Sequence, residues 1–259
     1  MLELMNNAAV EAPLRPVVAP RGLSVAWARH GDEVRQAQRL RHAVFAGELG
    51  ARLQTPVPGH DIDRYDDFCE HLLVRDAASG EVVGTYRALT PAQARRAGST
   101  YADSEFDLAP LAPLRSRMLE LGRSCVHPQH RQGAVILALW GALAQFMALN
   151  ELDTMIGCAS IPLLHGSMTA PGIWNRLRRT HLAPPALRIE PRRPLPLPPD
   201  EQLAGMDAEP PPLIQGYLRL GARLLGPPAW DPHFNSADLP LLVRLDDLPP
   251  RYRRGAAGA

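Results

Sequence analysis

One stretch of the sequence limits the fold more than any other: residues 133–149, GAVILALWGALAQFMAL, are apolar almost throughout. A helix that crosses a bilayer needs about 20 such residues. This stretch is shorter, is interrupted by Gln145, and is bracketed by Arg131 and Asn150. A helix that is hydrophobic on all sides has to be buried. We therefore predict a helix packed against a central sheet, not a transmembrane span.

Strand-like segments lie on both sides of this helix, at 118–126 before it and at 154–161 after it. Earlier in the chain, HLLVR (71–75) and EVVGTYRAL (81–89) are joined by AASG, which predicts a hairpin. The other predicted elements are a strand at Leu23–Trp27, a helix from Asp32 as N-cap to about Leu49, a helix or turn at 91–98, and ordered segments at 213–225 and 238–245. Strand pairs followed by a helix that returns to another strand predict an α/β or α+β fold with mixed pairing.

A chain of 259 residues is long enough for one sizeable α/β domain. We predict a flexible N-terminal arm (1–22), a core (23–182), a C-terminal part of the same domain (213–250) and a tail (251–259). Many of the 27 prolines fall within 183–212. This segment is therefore predicted to be an exposed excursion without regular structure.

Composition argues against several classes of protein. A net charge of +1 and an aromatic content of 5% give no reason to expect nucleic-acid binding. The three cysteines, Cys69, Cys125 and Cys158, are odd in number and form no CxxC pair, so we expect no metal site and no disulfide framework. The N-terminus lacks a basic segment followed by an apolar core, which argues against a signal peptide. A reducing cytoplasm fits these features.

An acidic segment, HDIDRYDD (60–67), precedes the first strand of the hairpin. It has three interpretations: a site for a cationic amine, a metal site, or a solvated loop. An EF-hand needs a bidentate glutamate at its twelfth position, and counting from Asp61 that position is Leu72. Calcium is therefore excluded, and the other interpretations stay open.

The segment ELGRSCVHP (120–128) carries Glu120 and Arg123 on a predicted strand. Residues three apart lie on opposite faces of a regular strand, so a bulge at Gly122 is needed to bring both to one face. The alternative is a surface pair on an edge strand. In GTYR (84–87), Gly84 marks either the close approach of a ligand or a cross-strand glycine beside a surface arginine.

The segment HRQG (130–133) directly precedes the apolar helix. A glycine turn before a helix leaves backbone N–H groups and the positive end of the helix dipole free to bind an anion. Phosphate is the anion that such a turn commonly binds. A plain capping turn is the alternative.

Four motifs occur in a familiar order: RHAVF (41–45), DIDRYD (61–66), GTYR (84–87) and ELGR (120–123). This order resembles the acyl-homoserine-lactone synthases, which have the GCN5-related N-acetyltransferase (GNAT) fold and take acyl chains from acyl carrier protein. ELGRSCVHPQHRQGAVILALW, GCASIP and DPHFNSADLPLL are more similar still to the ornithine N-acyltransferases. The resemblance covers about 23–246 and implies a GNAT-like fold with a mixed, mostly antiparallel sheet flanked by helices.

The resemblance implies transfer of a (3-hydroxy)acyl chain from acyl carrier protein to the α-amine of ornithine, giving lyso-ornithine lipid, with no further cofactor. The acetyltransferase loop pattern [QR]-x-x-G-x-[GA] is not intact around Arg131. That departure argues for a carrier-protein donor, because its phosphopantetheine lacks the pyrophosphate of coenzyme A. On this basis Arg131 and the turn at Gly133 would bind the phosphate, with Cys125 near the pantetheine.

An α-amine is mostly protonated at neutral pH, so amide formation needs a base. Glu120 is the first candidate and Asp61 the second, with Arg123 beside them. Arg87 and Arg123 would bind the amino acid's carboxylate, and Arg41 is a further candidate substrate contact. An N–H group near Arg123 to Cys125 would stabilise the oxyanion.

Two roles stay open for the remaining polar residues of the motifs. Asp63 and Asp66 would complement the cationic side chain of ornithine, or would pair with Arg41 and Arg123 to hold the loop. Cys125 is either a covalent nucleophile or uninvolved, with direct attack by the amine as the simpler route.

Other functions compete with this one. The acceptor could be S-adenosylmethionine or another amino acid, or the chain could bind carrier protein or lipid without catalysis. Segment 213–225 either faces lipid or packs on the core. Because the product is amphiphilic, peripheral contact with the inner face of the membrane is a further expectation.

Overall fold

The computed structural model describes residues 20–163 and 168–248. Most of the predicted N-terminal arm and the whole predicted tail lie outside the described residues. The helices are α1 (Gly31–His42), α2 (Pro91–Ala97), α3 (Ala102–Glu105), α4 (Ala134–Leu149), α5 (Thr169–Thr180), α6 (Asp200–Leu203) and α7 (Pro212–Arg219). The strands are β1 (Leu23–Trp27), β2 (Glu70–Asp76), β3 (Val82–Leu89), β4 (Phe106–Asp107), β5 (Met118–Val126), β6 (Thr154–Pro162), β7 (Glu190–Pro191), β8 (Arg223–Leu224), β9 (Ala229–Asp231) and β10 (Ser236–Arg244).

One sheet organises the described part of the chain, with the strand order β1-β2-β3-β5-β6-β10-β8 and β9 on β10. Every neighbouring pair in it is antiparallel except β5 and β6, which are parallel. Parallel neighbours need a crossover, and α4 supplies it. The mixed, mostly antiparallel sheet flanked by helices that the sequence predicts is therefore confirmed.

The apolar helix α4 packs on one face of this sheet, as predicted. Val135, Leu139 and Leu143 are buried there with Leu72 of β2 and Leu119 of β5. Within residues 20–163 and 168–248, no helix combines the length and the hydropathy that a bilayer crossing needs.

Gly84 of β3 lies against α4 and not against a ligand. A methyl group on Gly84 would overlap Cγ1 of Val135, a branched side chain that cannot swing away. We expect Gly84→Ala to destabilise the fold by about 1–3 kcal/mol, measured as the free energy of unfolding in urea. A variant as stable as wild type would show that α4 can shift away from β3 at no cost.

The start of α1 differs from the prediction. The helix begins at Gly31 after an extended His30, and Asp32 lies in the first turn. There its carboxylate pairs with Arg35 at 2.6 Å and caps nothing. At its C-terminal end the helix continues as a π-helical segment, Ala43–Glu48.

The proline-rich segment 183–212 is mostly exposed and irregular, as predicted, but a few buried apolar residues anchor it to the core. Ala183, Ile189, Leu195 and Leu203 are each at most 8% exposed. Its short strand β7 pairs with β4, and the segment also contains α6. Prolines cannot donate hydrogen bonds, but the apolar residues between them pack on the sheet, and that burial outweighs the lack of a regular ladder.

Segment 213–225 packs on the core. Ile214, Leu224 and Leu225 are at most 2% exposed, which confirms core packing and contradicts the lipid-facing alternative. Helix α7 also brings Leu213 and Tyr217 to the cavity described next.

Candidate active site

Strands β5 and β6 separate in the middle of the sheet. They pair only from Met118 opposite Thr154 to Glu120 opposite Ile156, although both strands continue for several residues. A cavity of about 520 Å³ occupies the gap and reaches both faces of the sheet. The gap between the two strands therefore opens beside Glu120.

A β-bulge lies next to the gap. Thr85 is opposite Cys125 and Arg87 is opposite Gly122, so Tyr86 faces both Arg123 and Ser124. Arg123 has a φ of 53°, a left-handed conformation that is uncommon for arginine. The predicted bulge is present, one residue beyond Gly122, and it turns Arg123 to the face of Glu120.

The two ends of the cavity differ in chemistry. Apolar side chains on the α4 face form one chamber, lined by Trp140, Leu143, Met155, Tyr217, Leu245 and Leu248. Polar side chains on the other face form a second chamber, lined by Arg87, Tyr101, Glu120, Arg123, Ser160 and Asp238. The arrangement suits a substrate with a long apolar part and a charged part, joined where the strands separate.

Glu120 is held firmly at the junction of the chambers. It is 6% exposed, and its two carboxylate oxygens accept N–H bonds from Tyr101 (2.8 Å) and Ala102 (2.7 Å). Burial raises the pKa of Glu120, although these two N–H donors and Arg87 act against the rise. A carboxyl group with a raised pKa and a fixed position is suited to accept a proton near neutral pH.

The acidic loop is locked by arginines from three other segments. Arg41 binds Asp61 (2.8 Å) and Asp66 (2.8 Å), and it also donates to the Asp61 carbonyl. Arg87 binds Asp63 (2.6 Å) and Asp66 (3.0 Å). Arg123 binds Asp61 (3.1 Å) and Asp63 (2.8 Å). Three carboxylates are thus balanced by three guanidinium groups. This agrees with the second role left open by the sequence, in which the aspartates pair with arginines and hold the loop in place.

The aspartates of the loop are not among the residues that line the cavity. Asp61 and Asp66 are at most 6% exposed, and their charges are already compensated within the cluster. Asp61 is therefore poorly placed as the second candidate base. The proposed contact of Asp63 and Asp66 with a cationic acceptor has no free carboxylate to support it.

The three arginines of the cluster differ in position. Arg87 and Arg123 line the cavity, and Arg123 stacks on the rings of Phe234 (4.6 Å) and Tyr101 (5.2 Å). Arg41 is fully buried and lies behind the cavity wall. The predicted substrate contact of Arg41 is thus replaced by a role in holding Asp61 and Asp66.

Cys125 does not fit its predicted roles. Its thiol is 3% exposed, packs with Leu40 and Val44, and donates to the Leu40 carbonyl at 3.8 Å. Burial raises the pKa of Cys125 to about 12, and the thiolate is the nucleophilic form. This placement gives no support to the covalent route or to a pantetheine contact through this side chain.

The predicted phosphate turn has the expected form. Gly133, with a φ of 96°, directly precedes α4 and caps it without a side-chain hydrogen bond. Arg131 lies exposed beside it and binds both carboxylate oxygens of Glu48, at 2.6 and 2.7 Å. An incoming phosphate would compete with Glu48 for this guanidinium group.

Four residues that line the cavity carry no signal in the local sequence, namely Tyr101, Cys158, Phe234 and Asp238. The string DPHFNSADLPLL, which contains two of them, points to the site only through its resemblance to the ornithine N-acyltransferases. Its residues reach the site because β10 pairs with β6 next to the gap, and no local pattern indicates that pairing.

Comparison with known proteins supplies an independent finding. The Acetyltransferase (GNAT) domain family matches residues 40–141. The L-ornithine N(alpha)-acyltransferase of Rhodobacter capsulatus is 39% identical over 254 residues, covering 91% of this chain and 95% of the relative. The enzyme of the same name from Brucella abortus is 33% identical, covering 89% and 87%.

Solved structures share the fold. The AHL synthase LasI superposes with a TM-score of 0.51 at 14% identity, covering 92% of this chain and 94% of that one. The CoA-dependent acyl-homoserine lactone synthase BjaI, with MTA, gives a TM-score of 0.50 at 18% identity, covering 88% and 81%. At these identities the likeness concerns the fold alone.

Proposed function

This chain belongs to the L-ornithine N(alpha)-acyltransferase family, and from that membership we propose that it transfers an acyl chain to the α-amine of L-ornithine. One observation carries the proposal: a single cavity joins an apolar chamber to a buried carboxylate and two arginines at the point where β5 and β6 separate. An acyl chain and an amino acid are the two kinds of molecule that these chambers fit.

The reaction follows from the placement of these groups. Glu120 takes a proton from the α-ammonium group, and the free amine attacks the carbonyl carbon of the acyl thioester. A C–N bond forms as the C–S bond breaks, and the leaving thiolate takes up a proton. Arg87 and Arg123, which line the cavity, bind the amino acid's carboxylate. Backbone N–H groups of the bulge at Arg123 and Ser124 are suited to the oxyanion.

The donor in this proposal is a (3-hydroxy)acyl chain on acyl carrier protein, and the product is lyso-ornithine lipid. Support comes from the turn at Gly133, where the first N–H groups of α4 lack a side-chain cap, and from the neighbouring Arg131. A phosphopantetheine phosphate at this turn would lead its thioester toward Glu120. Contact with the inner face of a membrane remains a prediction that rests on the amphiphilic product.

The donor proposal is tested by comparing kcat/KM for the same acyl chain on acyl carrier protein and on coenzyme A, with ornithine as acceptor. We expect the carrier protein to be the better donor. Arg131→Ala should mainly raise the KM for the donor, because the side chain is exposed and its pair with Glu48 contributes little to stability. Glu48→Gln is the matched control, since it removes the competing carboxylate and should not raise that KM.

Two outcomes would contradict this assignment. An equal or better kcat/KM with coenzyme A would overturn the carrier-protein donor. Acyl transfer to S-adenosylmethionine or to another amino acid, in preference to ornithine, would overturn the acceptor and leave the acyltransferase chemistry in place. Mass spectrometry of the lipids made in an expressing host identifies the acceptor directly.

A further inference from the structure

We propose that Asp238 on β10 is the residue that recognises the side-chain ammonium group of the acceptor, and so selects a dibasic amino acid over a neutral one. This inference rests on the proposed function and adds the carboxylate that gives it its specificity. It assigns to Asp238 the role that the sequence assigned to Asp63 and Asp66.

The charges at the polar chamber carry the argument. Asp61, Asp63 and Asp66 are neutralised by Arg41, Arg87 and Arg123. Asp238 is 2% exposed and lines the cavity. Across residues 20–163 and 168–248, its carboxylate has no ion-pair partner, and the groups that hydrogen-bond to it are the neutral hydroxyls of Ser236, at 2.9 Å, and Ser160. A buried carboxylate without a cation is costly unless a ligand supplies one.

The neighbours of Asp238 add a second carboxylate, and Arg123, a cation that acts on it, is already paired with Asp61 and Asp63. Asp231 is buried nearby, but its oxygens already accept from the N–H groups of His233 (2.8 Å) and Phe234 (3.1 Å) and from the Tyr101 hydroxyl (2.7 Å). Asp231 is therefore anchored by three donors, whereas Asp238 is bound by two serine hydroxyls and by no cation. The chain contains no lysine, so an arginine, a histidine or a ligand has to supply a counter-charge.

Burial disfavours the ionised form of this group. It raises the pKa of Asp238 to about 6, with Asp231 adding to the rise and the hydroxyls of Ser160 and Ser236 and the charge of Arg123 opposing it. Burial also raises the pKa of Glu105 to about 7, where Asp231 and Asp238 add to the rise and Arg193 opposes it. An ammonium group bound here would lower the pKa of Asp238 and so favour the ionised carboxylate. The ionised carboxylate would in turn bind the ammonium group more tightly than the neutral carboxyl group would.

The distance between Glu120 and Asp238 fits an amino acid with two amino groups. Glu120 is level with Ile156 on β6, and Asp238 is level with Ser160 on the same strand. Residues four apart on a strand are roughly 13 Å apart and point to one face. Because β5 and β10 lie on opposite sides of β6, two strand spacings of about 4.8 Å add to this, which places the Cα atoms of Glu120 and Asp238 about 16 Å apart. Ornithine has four carbon atoms between its amino groups, so an extended molecule with a hydrogen bond at each end joins carboxylate oxygens roughly 12 Å apart, a separation that the two side chains reach by leaning toward each other. Its α-amine would meet Glu120 while its side-chain ammonium group meets Asp238.

The test compares ornithine with norvaline, which has the same carbon chain without the side-chain amine. In wild type we expect ornithine to be strongly preferred. Asp238→Asn keeps the size of the side chain, and the Ser236 hydroxyl can donate or accept, so the hydrogen bond survives. The variant should raise the KM for ornithine by roughly 10- to 100-fold, the effect of losing one charge-assisted bond. The KM for norvaline and the KM for the acyl donor should change little.

Controls separate this inference from the proposed function. Asp32→Asn removes the same charge from an exposed site far from the cavity and should leave both KM values unchanged. If Asp238→Asn changes the constants for ornithine and norvaline by the same factor, or changes neither, the assignment of Asp238 is overturned. If wild type acylates neither amino acid while it acylates another amine, the proposed function itself is overturned.

Discussion

Replacing Glu120 by glutamine is expected to lower kcat by about 10²- to 10⁴-fold, the usual contribution of a positioned base. The amide cannot accept the proton of the α-ammonium group, whereas donor binding takes place at other residues. The KM for the acyl donor should therefore stay near its wild-type value. Raising the pH should restore part of the rate, because a larger fraction of the acceptor is then already deprotonated.

This experiment needs a check on folding, because Glu120 also accepts two backbone N–H bonds. The oxygen of glutamine can keep one of them, but its NH₂ group opposes the other N–H. Thermal unfolding and donor binding of Glu120→Gln show whether the site is intact. A folded variant that keeps most of its turnover at neutral pH would show that Glu120 is not the base. A folded variant whose low rate does not rise with pH would show that Glu120 acts by holding Tyr101 and Ala102.

Replacing Asp66 by asparagine is expected to destabilise the fold by about 3–5 kcal/mol, the cost of removing one partner from a buried ion pair. Asp66 binds Arg41 and Arg87, accepts from Gln38 (3.2 Å), and is 6% exposed. Its loss would leave two buried guanidinium groups under-compensated. The free energy of unfolding in urea measures the effect, with the exposed Asp32→Asn as a control that should change stability little.

The same carboxylate predicts a dependence of stability on pH. Burial raises the pKa of Asp66, but Arg41 and Arg87 together outweigh burial and hold the pKa below its usual value of 3.8. A group with a lowered pKa in the folded state contributes stability above its unfolded pKa, and that contribution is lost as the pH falls further. Wild type should therefore lose stability progressively below about pH 3.9, and Asp66→Asn should show a shallower loss over that range.

Kinetics distinguish the two interpretations of the loop. If Asp66→Asn is nearly as stable as wild type but uses ornithine poorly, the loop contacts the acceptor and the structural interpretation is wrong. If the variant is destabilised but has normal constants for ornithine once folded, the loop only supports the site.

Local sequence determined the framework of this protein. The bounds of β5 agree with the prediction residue for residue, and α4 begins one residue after the predicted start, because alternation and continuous apolarity depend only on neighbouring residues. The need for a bulge between Glu120 and Arg123 also followed from local geometry, since residues three apart cannot share a face of a regular strand. The order of the four motifs pointed to the fold that the comparisons confirm.

The tertiary structure decided which charges are free. Asp61, Asp63 and Asp66 form the most acidic segment near the site, yet they are neutralised by arginines 20 to 62 residues away in sequence. Asp238 stands alone in a run of apolar residues and received no role, but pairing of β10 with β6 brings it to the cavity wall. The prolines of 183–212 indicated an exposed segment, and the structure adds that Ala183, Ile189 and Leu195 anchor it through contacts with residues distant in sequence. In each case the outcome depends on the charges and the packing of residues that are distant in sequence. A local sequence pattern contains no information about those residues.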